Sequence, residues 1–137
     1  MIRTFIDSGI LIAAARGSAD IALSAFEVLD DPNREFVSSI FVKLEVLPKA
    51  MFNRYKDEVD FYQEFFSYVS IWTDISPNLF ETAFKEAARS GLSAIDAIHV
   101  VSALTSGSDE LITTEKRNRP IHRNTLIPVR SIHPENK

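Results

Sequence analysis

Met1-Ile2-Arg3-Thr4-Phe5-Ile6-Asp7-Ser8-Gly9-Ile10-Leu11-Ile12 is a short apolar run that stops at an aspartate and resumes two residues later. A run too short for a helix, broken by Asp-Ser-Gly and followed at once by a second apolar segment, predicts a buried strand, a turn and a helix. Asp7 then stands at the carboxyl end of the first strand. In open α/β sheets the ligand crevice lies just beyond those ends, so a carboxylate delivered there faces a crevice rather than open solvent.

Outward from this stretch, residues 10–15 continue as a helix, Gly17-Ser18 breaks it, and Ala22, Leu23, Phe26 and Leu29 recur at helical spacing over residues 19–29. Residues 35–38 predict a short strand. Ser38 or Ser39 then caps a helix with an apolar face of Ile40, Phe41, Leu44 and Leu47, and Pro48, which cannot donate to the carbonyl of Leu44, predicts a kink or an end. Residues 55–69 form an amphipathic helix whose aromatic stripe at 61, 62, 65, 66 and 68 reads as core rather than as a platform for nucleobases. Residues 71–75 predict a third strand. Ser76-Pro77 opens a helix over 77–89 that Gly91 ends, and Ser93 caps another through about Leu104. Residues 110–114 and 126–132 complete five strands, with Pro128 marking the last as an edge. Strands separated by helical segments imply βαβ units, hence an α/β protein: a three-layer α/β/α sandwich with a mostly parallel sheet, expected as one domain over residues 1–137.

A chain of 137 residues has material for one domain and too little for two. Its 45% hydrophobic and 25% charged residues exclude disorder, collagen-like repeats and a coiled coil. The absence of cysteine excludes a disulfide framework, a thiolate zinc site and a thiol nucleophile. No apolar run approaches a membrane span and no signal-like segment opens the chain, so a cytoplasmic protein is expected. The net charge of −4 is uneven: Lys116, Arg117, Arg119, Arg123 and Arg130 fall in residues 116–134 with no acid among them, and Glu135 and Lys137 cancel. Such a segment is either a solvated basic tail or, if it borders the site, a place for a polyanion.

Four carboxylates follow strands or open the helices after them: Asp7, Glu45, Asp96 and Glu115. Each also has a local role open to it. Asp7 suits a turn, Glu45 a solvated helix position, Asp96 a capping box with Ser93, and Glu115 an ion pair with the cations beside it.

Taken together, the words around these acids resemble the PIN-domain nucleases, the family that includes the VapC-like toxins of bacterial toxin–antitoxin pairs. The matching stretches are Phe5-Ile6-Asp7-Ser8, Ser38-Ser39 through Leu44-Glu45-Val46-Leu47, Leu92-Ser93-Ala94-Ile95-Asp96-Ala97-Ile98-His99 with Ala103-Leu104, and Leu111-Ile112-Thr113-Thr114-Glu115. The resemblance assigns Asp7, Glu45, Asp96 and Glu115 to Mg²⁺ or Mn²⁺ binding for RNA hydrolysis. It implies an RNA substrate, and an antitoxin and a second copy of the chain as candidate protein partners. Two positions depart from the pattern: Gly9 stands where a polar residue is usual, and Glu115, a methylene longer than the usual aspartate, is expected to reach a metal through water. Ser8 and Thr114 adjoin these acids and are candidates to bond a phosphate or a bound water; Lys116 and Arg117 are candidates to receive RNA phosphates.

Chemistry independent of the resemblance points the same way. Two carboxylates about 4 Å apart repel by roughly 4 kcal/mol at an effective dielectric of 20, so a gathered set must take up protons or bind a cation. Oxygen-only donors suit Mg²⁺ or Mn²⁺. His99, three residues after Asp96, is expected to pack or to orient a ligand rather than bind metal, because acid-x-x-His sites need that pair twice. The competing classes are a stand-alone RNA-processing nuclease, a non-catalytic binding module and a receiver-like signalling domain. The last wants an acidic pair after strand one, and Asp7 has no acidic neighbour.

Overall fold

The computed structural model describes residues 1–134; Glu135 and Lys137, which cancel in the charge count, lie outside the described residues. Five strands form one sheet, β1 (Ile2–Ile6), β2 (Arg34–Ser38), β3 (Ile71–Trp72), β4 (Glu110–Thr113) and β5 (Val129–Ser131), in the order β3-β2-β1-β4-β5. Every pairing is parallel, with Phe5 opposite Val37 on one side and Leu111 on the other. Six helices connect them: α1 (Ser8–Arg16), α2 (Ala19–Leu29), α3 (Ile40–Phe52), α4 (Lys56–Ser67), α5 (Pro77–Ser90) and α6 (Ala94–Thr105), followed by a 3₁₀ turn at Pro120–Arg123. Helices α1 to α4 pack on one another, while α5 pairs with α6, and α6 also crosses β2 and β4. This is the expected α/β/α sandwich.

The central strands are apolar on both faces because helices cover both. Phe5, Ile6, Val37, Leu111 and Ile112 are fully buried, each side chain contributing about 1.5–3 kcal/mol by leaving water. Within the aromatic stripe Tyr62, Phe65 and Phe66 are buried and Tyr68 is exposed, so the core reading holds for the inward positions. The Tyr62 hydroxyl donates to Glu58 Oε1 at 2.6 Å, and burial, then that carboxylate, raises the phenol's pKa. Gly91 ends α5 in the left-handed region (φ 69°), and Val129 opens β5 as an edge strand just after Pro128. Among the described residues no helix is long and apolar enough to cross a membrane.

Several boundaries differ from the sequence reading. The first helix begins at Ser8, because Asp7 itself caps it. The third and fifth strands are shorter, since only Ile71–Trp72 and Val129–Ser131 find a neighbour to pair with. Ser39 is the N-cap of α3, yet its hydroxyl makes no capping bond. Helix α3 does not end at Pro48 but runs on to Phe52. Leu44, whose carbonyl loses its partner there, is on the solvent side (59% exposed), open to hydration. The buried face of α3 is also not the expected one: Val42, Val46 and Ala50 point inward, while Ile40 and Leu44 are exposed. A helix apolar on nearly every side gives periodicity no single face to choose. The face actually buried sets Glu45 at its border, beside Val46.

Candidate active site

The strand order contains a switch point. From β1 the chain proceeds to β2 and β3 on one side, then returns to β4 and β5 on the other, so the crevice opens at the carboxyl ends of β1 and β4. Asp7 follows β1 directly, and Thr114 and Glu115 follow β4. Glu45 enters from the second turn of α3, behind β2, and Asp96 from the first turn of α6.

Asp7 is 7% exposed and continues the β1–β4 ladder, its N–H donating to the carbonyl of Ile112 at 3.3 Å. Its Oδ1 accepts weakly from the amide of Ile10 at 3.4 Å, so it does serve as the turn residue, and the Thr113 hydroxyl is its other partner. Burial pushes its carboxyl up to about 6 and the charge of Asp96 adds to the rise, against the opposing pull of the Thr113 hydroxyl, His99 and the Ile10 amide. Asp96 is raised too, first by burial and then by repulsion from Glu115 and Glu45, with His99 and Ser93 pulling it down. Ser93 accepts from the amide of Asp96 at 3.2 Å, which is the cap expected for that residue pair. Asp96 is thus the electrostatic hub: its charge is felt by Asp7, and it feels Glu45 and Glu115.

His99 joins this set from below. Its Nε2 lies 2.6 Å from Glu45 Oε1, the ring packs 5.7 Å from that of Phe5, and the side chain is buried. With Nε2 donating to the carboxylate, Nδ1 has no hydrogen-bond partner among the described residues. His99 therefore both packs and orients an acid. Thr113 is a residue of this cluster that the sequence does not single out. Fully buried, its Oγ1 accepts from the amide of Glu115 at 3.1 Å while its hydroxyl favours the Asp7 carboxylate, linking the ends of β4 and β1. Its sequence signal is its place two residues before Glu115, in the stretch Leu111-Ile112-Thr113-Thr114-Glu115.

Among the described residues no three His, Cys, Asp or Glu side chains stand together as a preformed metal cage. Glu45 is turned onto His99, and Glu115 leans to Arg119 at 3.8 Å. The chemistry of the donor set nevertheless fits a hard divalent cation: oxygen donors only, a desolvated Asp7 and mutual repulsion that a cation relieves. Ser8 opens α1, and Thr114 Oγ1 comes over Gly9. Lys116 and Arg117 are exposed; Arg117 faces a hollow of about 450 Å³ shared with Arg34, Arg130 and His133, which none of the four acids lines.

A family model for the PIN domain matches residues 4–123, a span that includes all four acids. Among solved structures the fold is similar to VapBC2 from Rickettsia felis bound to a DNA fragment from their promoter, at TM-score 0.71 and 15% identity over 95% of this chain and 98% of that one. It is similar to DNA-bound VapBC from Salmonella typhimurium, at TM-score 0.62 and 16% identity over 96% and 98%. It is similar also to a toxin–antitoxin complex from Klebsiella pneumoniae, at TM-score 0.63 and 23% identity over 82% and 86%. A search of curated proteins returns no match. The structural likenesses speak to the fold, and the family match, reaching from β1 to the 3₁₀ turn, settles the membership: this chain belongs to the PIN-domain family.

Proposed function

We propose that the protein is a metal-dependent endoribonuclease that hydrolyses RNA phosphodiester bonds at Asp7, Glu45, Asp96 and Glu115. The observation that carries this reading is the electrostatic coupling of those acids near the carboxyl ends of β1 and β4, centred on Asp96. In the proposal Asp7 and Asp96 hold Mg²⁺ or Mn²⁺, His99 orients Glu45 toward them, and Glu115 acts through water. When bound, such a cation supplies activation of water at neutral pH and neutralises charge developing on the phosphate. Thr113 keeps Asp7 ionised and in place.

The toxin role of a toxin–antitoxin pair is part of the proposal. It is supported by fold neighbours described as VapBC or toxin–antitoxin complexes, and by a surface suited to a protein partner. Ile40 and Leu44 on α3 and Phe80 and Phe84 on α5 are exposed, and the two helices meet through Phe41 and Phe80. Apolar side chains grouped in this way are the kind of patch that an antitoxin or a second copy covers.

The direct test is cleavage of single-stranded or looped RNA by purified protein. Activity is expected with Mg²⁺ or Mn²⁺ and not in excess EDTA; equal cutting in EDTA would end the metal reading. The basic segment gives a separable expectation. Lys116→Ala with Arg117→Ala should weaken RNA binding and lower the slope of log K against log salt by about 1–2, with metal affinity unchanged, as measured by fluorescence anisotropy over a salt series. An unchanged slope would place the RNA path elsewhere.

A further inference from the structure

Gly9 is the second residue of α1, a position with no need for glycine's backbone freedom. Space explains it better. A Cβ at position 9 would stand 2.4 Å from Oγ1 of Thr114 and 3.3 Å from Oδ1 of Asp7, the first well inside van der Waals contact. The Thr114 hydroxyl therefore fills the volume that a side chain at position 9 would claim. It reaches there from the end of β4, the strand that packs against α1, and it shares that volume with the Asp7 carboxylate.

The hydroxyls at this point divide the work. Thr113 is engaged with Asp7 and with the amide of Glu115, and the Ile10 amide is engaged with Asp7. No hydrogen bond to Thr114 Oγ1 forms among the described residues, although the side chain is half-buried and held over the first turn of a helix whose free amides favour an anion. A donor left unpaired beside an acid that is already satisfied is available to a ligand.

We propose that Gly9 and Thr114 are a complementary pair, in which the missing Cβ at position 9 admits the Thr114 hydroxyl so that it donates to a phosphate oxygen of bound RNA and positions the phosphodiester against Asp7. The inference rests on the nuclease reading for its substrate and on the close approach for its geometry. Thr114 is thereby a substrate-positioning residue, and Gly9 acts through it.

Five variants test the pair with a short RNA and with a non-cleavable analogue of it in which a methylene replaces the bridging oxygen of the scissile P–O bond, both in the presence of Mg²⁺. Thr114→Val keeps the shape and removes the donor. It should lower kcat/KM and weaken analogue binding by about 10–100-fold, the usual consequence of losing one hydrogen bond to a charged group, with Tm unchanged. Thr114→Ser should retain wild-type values. Gly9→Ala should reproduce the Val phenotype by forcing the hydroxyl to rotate away, although helix propensity alone favours alanine at that position. Gly9→Ala combined with Thr114→Ala should be no worse than Thr114→Ala alone. Wild-type cleavage and binding by Thr114→Val would overturn the pair, leaving a packing contact, and so would additive losses in the double variant. A wild-type protein that binds the analogue, loses that binding in Thr114→Val and yet cuts no RNA would retain the pair and refute the nuclease reading. One that binds no analogue at all would refute the pair as well.

Discussion

Asp7→Asn should abolish metal-dependent RNA cleavage and at the same time make the metal-free protein more stable at neutral pH. The amide keeps the shape of the carboxylate and its oxygen can still accept from the Ile10 amide, so the turn into α1 survives. What it removes is the charge. Burial raises the folded-state carboxyl to about 6 from an ordinary 3.8, so the protonated form is the one the fold prefers. The stability carried by that proton is fully present below pH 3.8 and is lost as the pH rises through about 6. At pH 7 the wild-type protein without metal therefore bears a buried negative charge that costs about 3 kcal/mol. Asparagine avoids that cost. Denaturant melts of the two proteins in EDTA should separate between pH 4 and pH 7, with asparagine the more stable, and should coincide near pH 3. Added Mg²⁺ should stabilise the wild type by mass action and leave Asp7→Asn unmoved. The activity loss should exceed the roughly 100-fold that removing an orienting partner brings at most, since the group lost is taken to touch the metal. Measurable RNA cleavage by Asp7→Asn at high Mn²⁺ would remove Asp7 from that role; a variant less stable than wild type at pH 7 would mean the carboxylate is compensated in ways its neighbours do not explain.

The legibility of this site in the sequence follows from how far apart its interacting residues lie. Asp7 is readable because strand, turn and helix are all local, and the run that ends at Ile6 has no other sensible conformation. Asp96 is readable from its cap, Ser93, three residues away. Glu45 falls on the right helix by its order in the chain, but periodicity turns that helix the wrong way, because Ile40, Phe41, Leu44 and Leu47 are as apolar as the Val42, Val46 and Ala50 that are buried. Only α1 and α4, against which α3 packs, decide between those faces, and they are supplied by residues on either side in sequence. The pairing of Glu45 with His99 is of the same kind: 54 residues separate them, and nothing local announces it. Thr113 is hidden by its neighbour. Two adjacent threonines at a strand end look interchangeable, yet the pleat sends one hydroxyl inward to Asp7 and the other across to Gly9.

Glu86 is the furthest removed from any sequence signal, and its loss should be the most damaging to the fold among the polar residues. On α5 it reads as one more charge on an amphipathic helix, but its side chain is 1% exposed. The carboxylate accepts from the amide of Thr125 at 2.7 Å, from the Thr125 hydroxyl at 3.1 Å and from the Ser90 hydroxyl at 3.0 Å, with Arg89 at 3.6 Å. Arg123 adds a second tie between the same segments by donating to the carbonyl of Ser90 at 3.1 Å. Together these bonds fasten the irregular stretch between the 3₁₀ turn and β5 onto α5. Glu86→Ala should cost about 3–5 kcal/mol, because it strands the Thr125 amide and leaves a void beneath the loop. That is a large fraction of the roughly 5–15 kcal/mol that holds a typical domain together. Burial alone would raise this carboxyl, but the bonds from Thr125 and Ser90 and the charge of Arg89 outweigh it and hold it below its ordinary 4.5. Its charge-dependent contribution is therefore present above pH 4.5 and is lost as the pH falls through the lower folded-state value. Glu86→Gln, which keeps the acceptor and loses the charge, should be destabilised less than Glu86→Ala at pH 7, and its deficit against wild type should shrink toward pH 3 in urea melts. A Glu86→Ala protein with a wild-type urea midpoint would show that the loop is held by Ile121 and Ile127 in the core, and that the buried carboxylate is incidental to it.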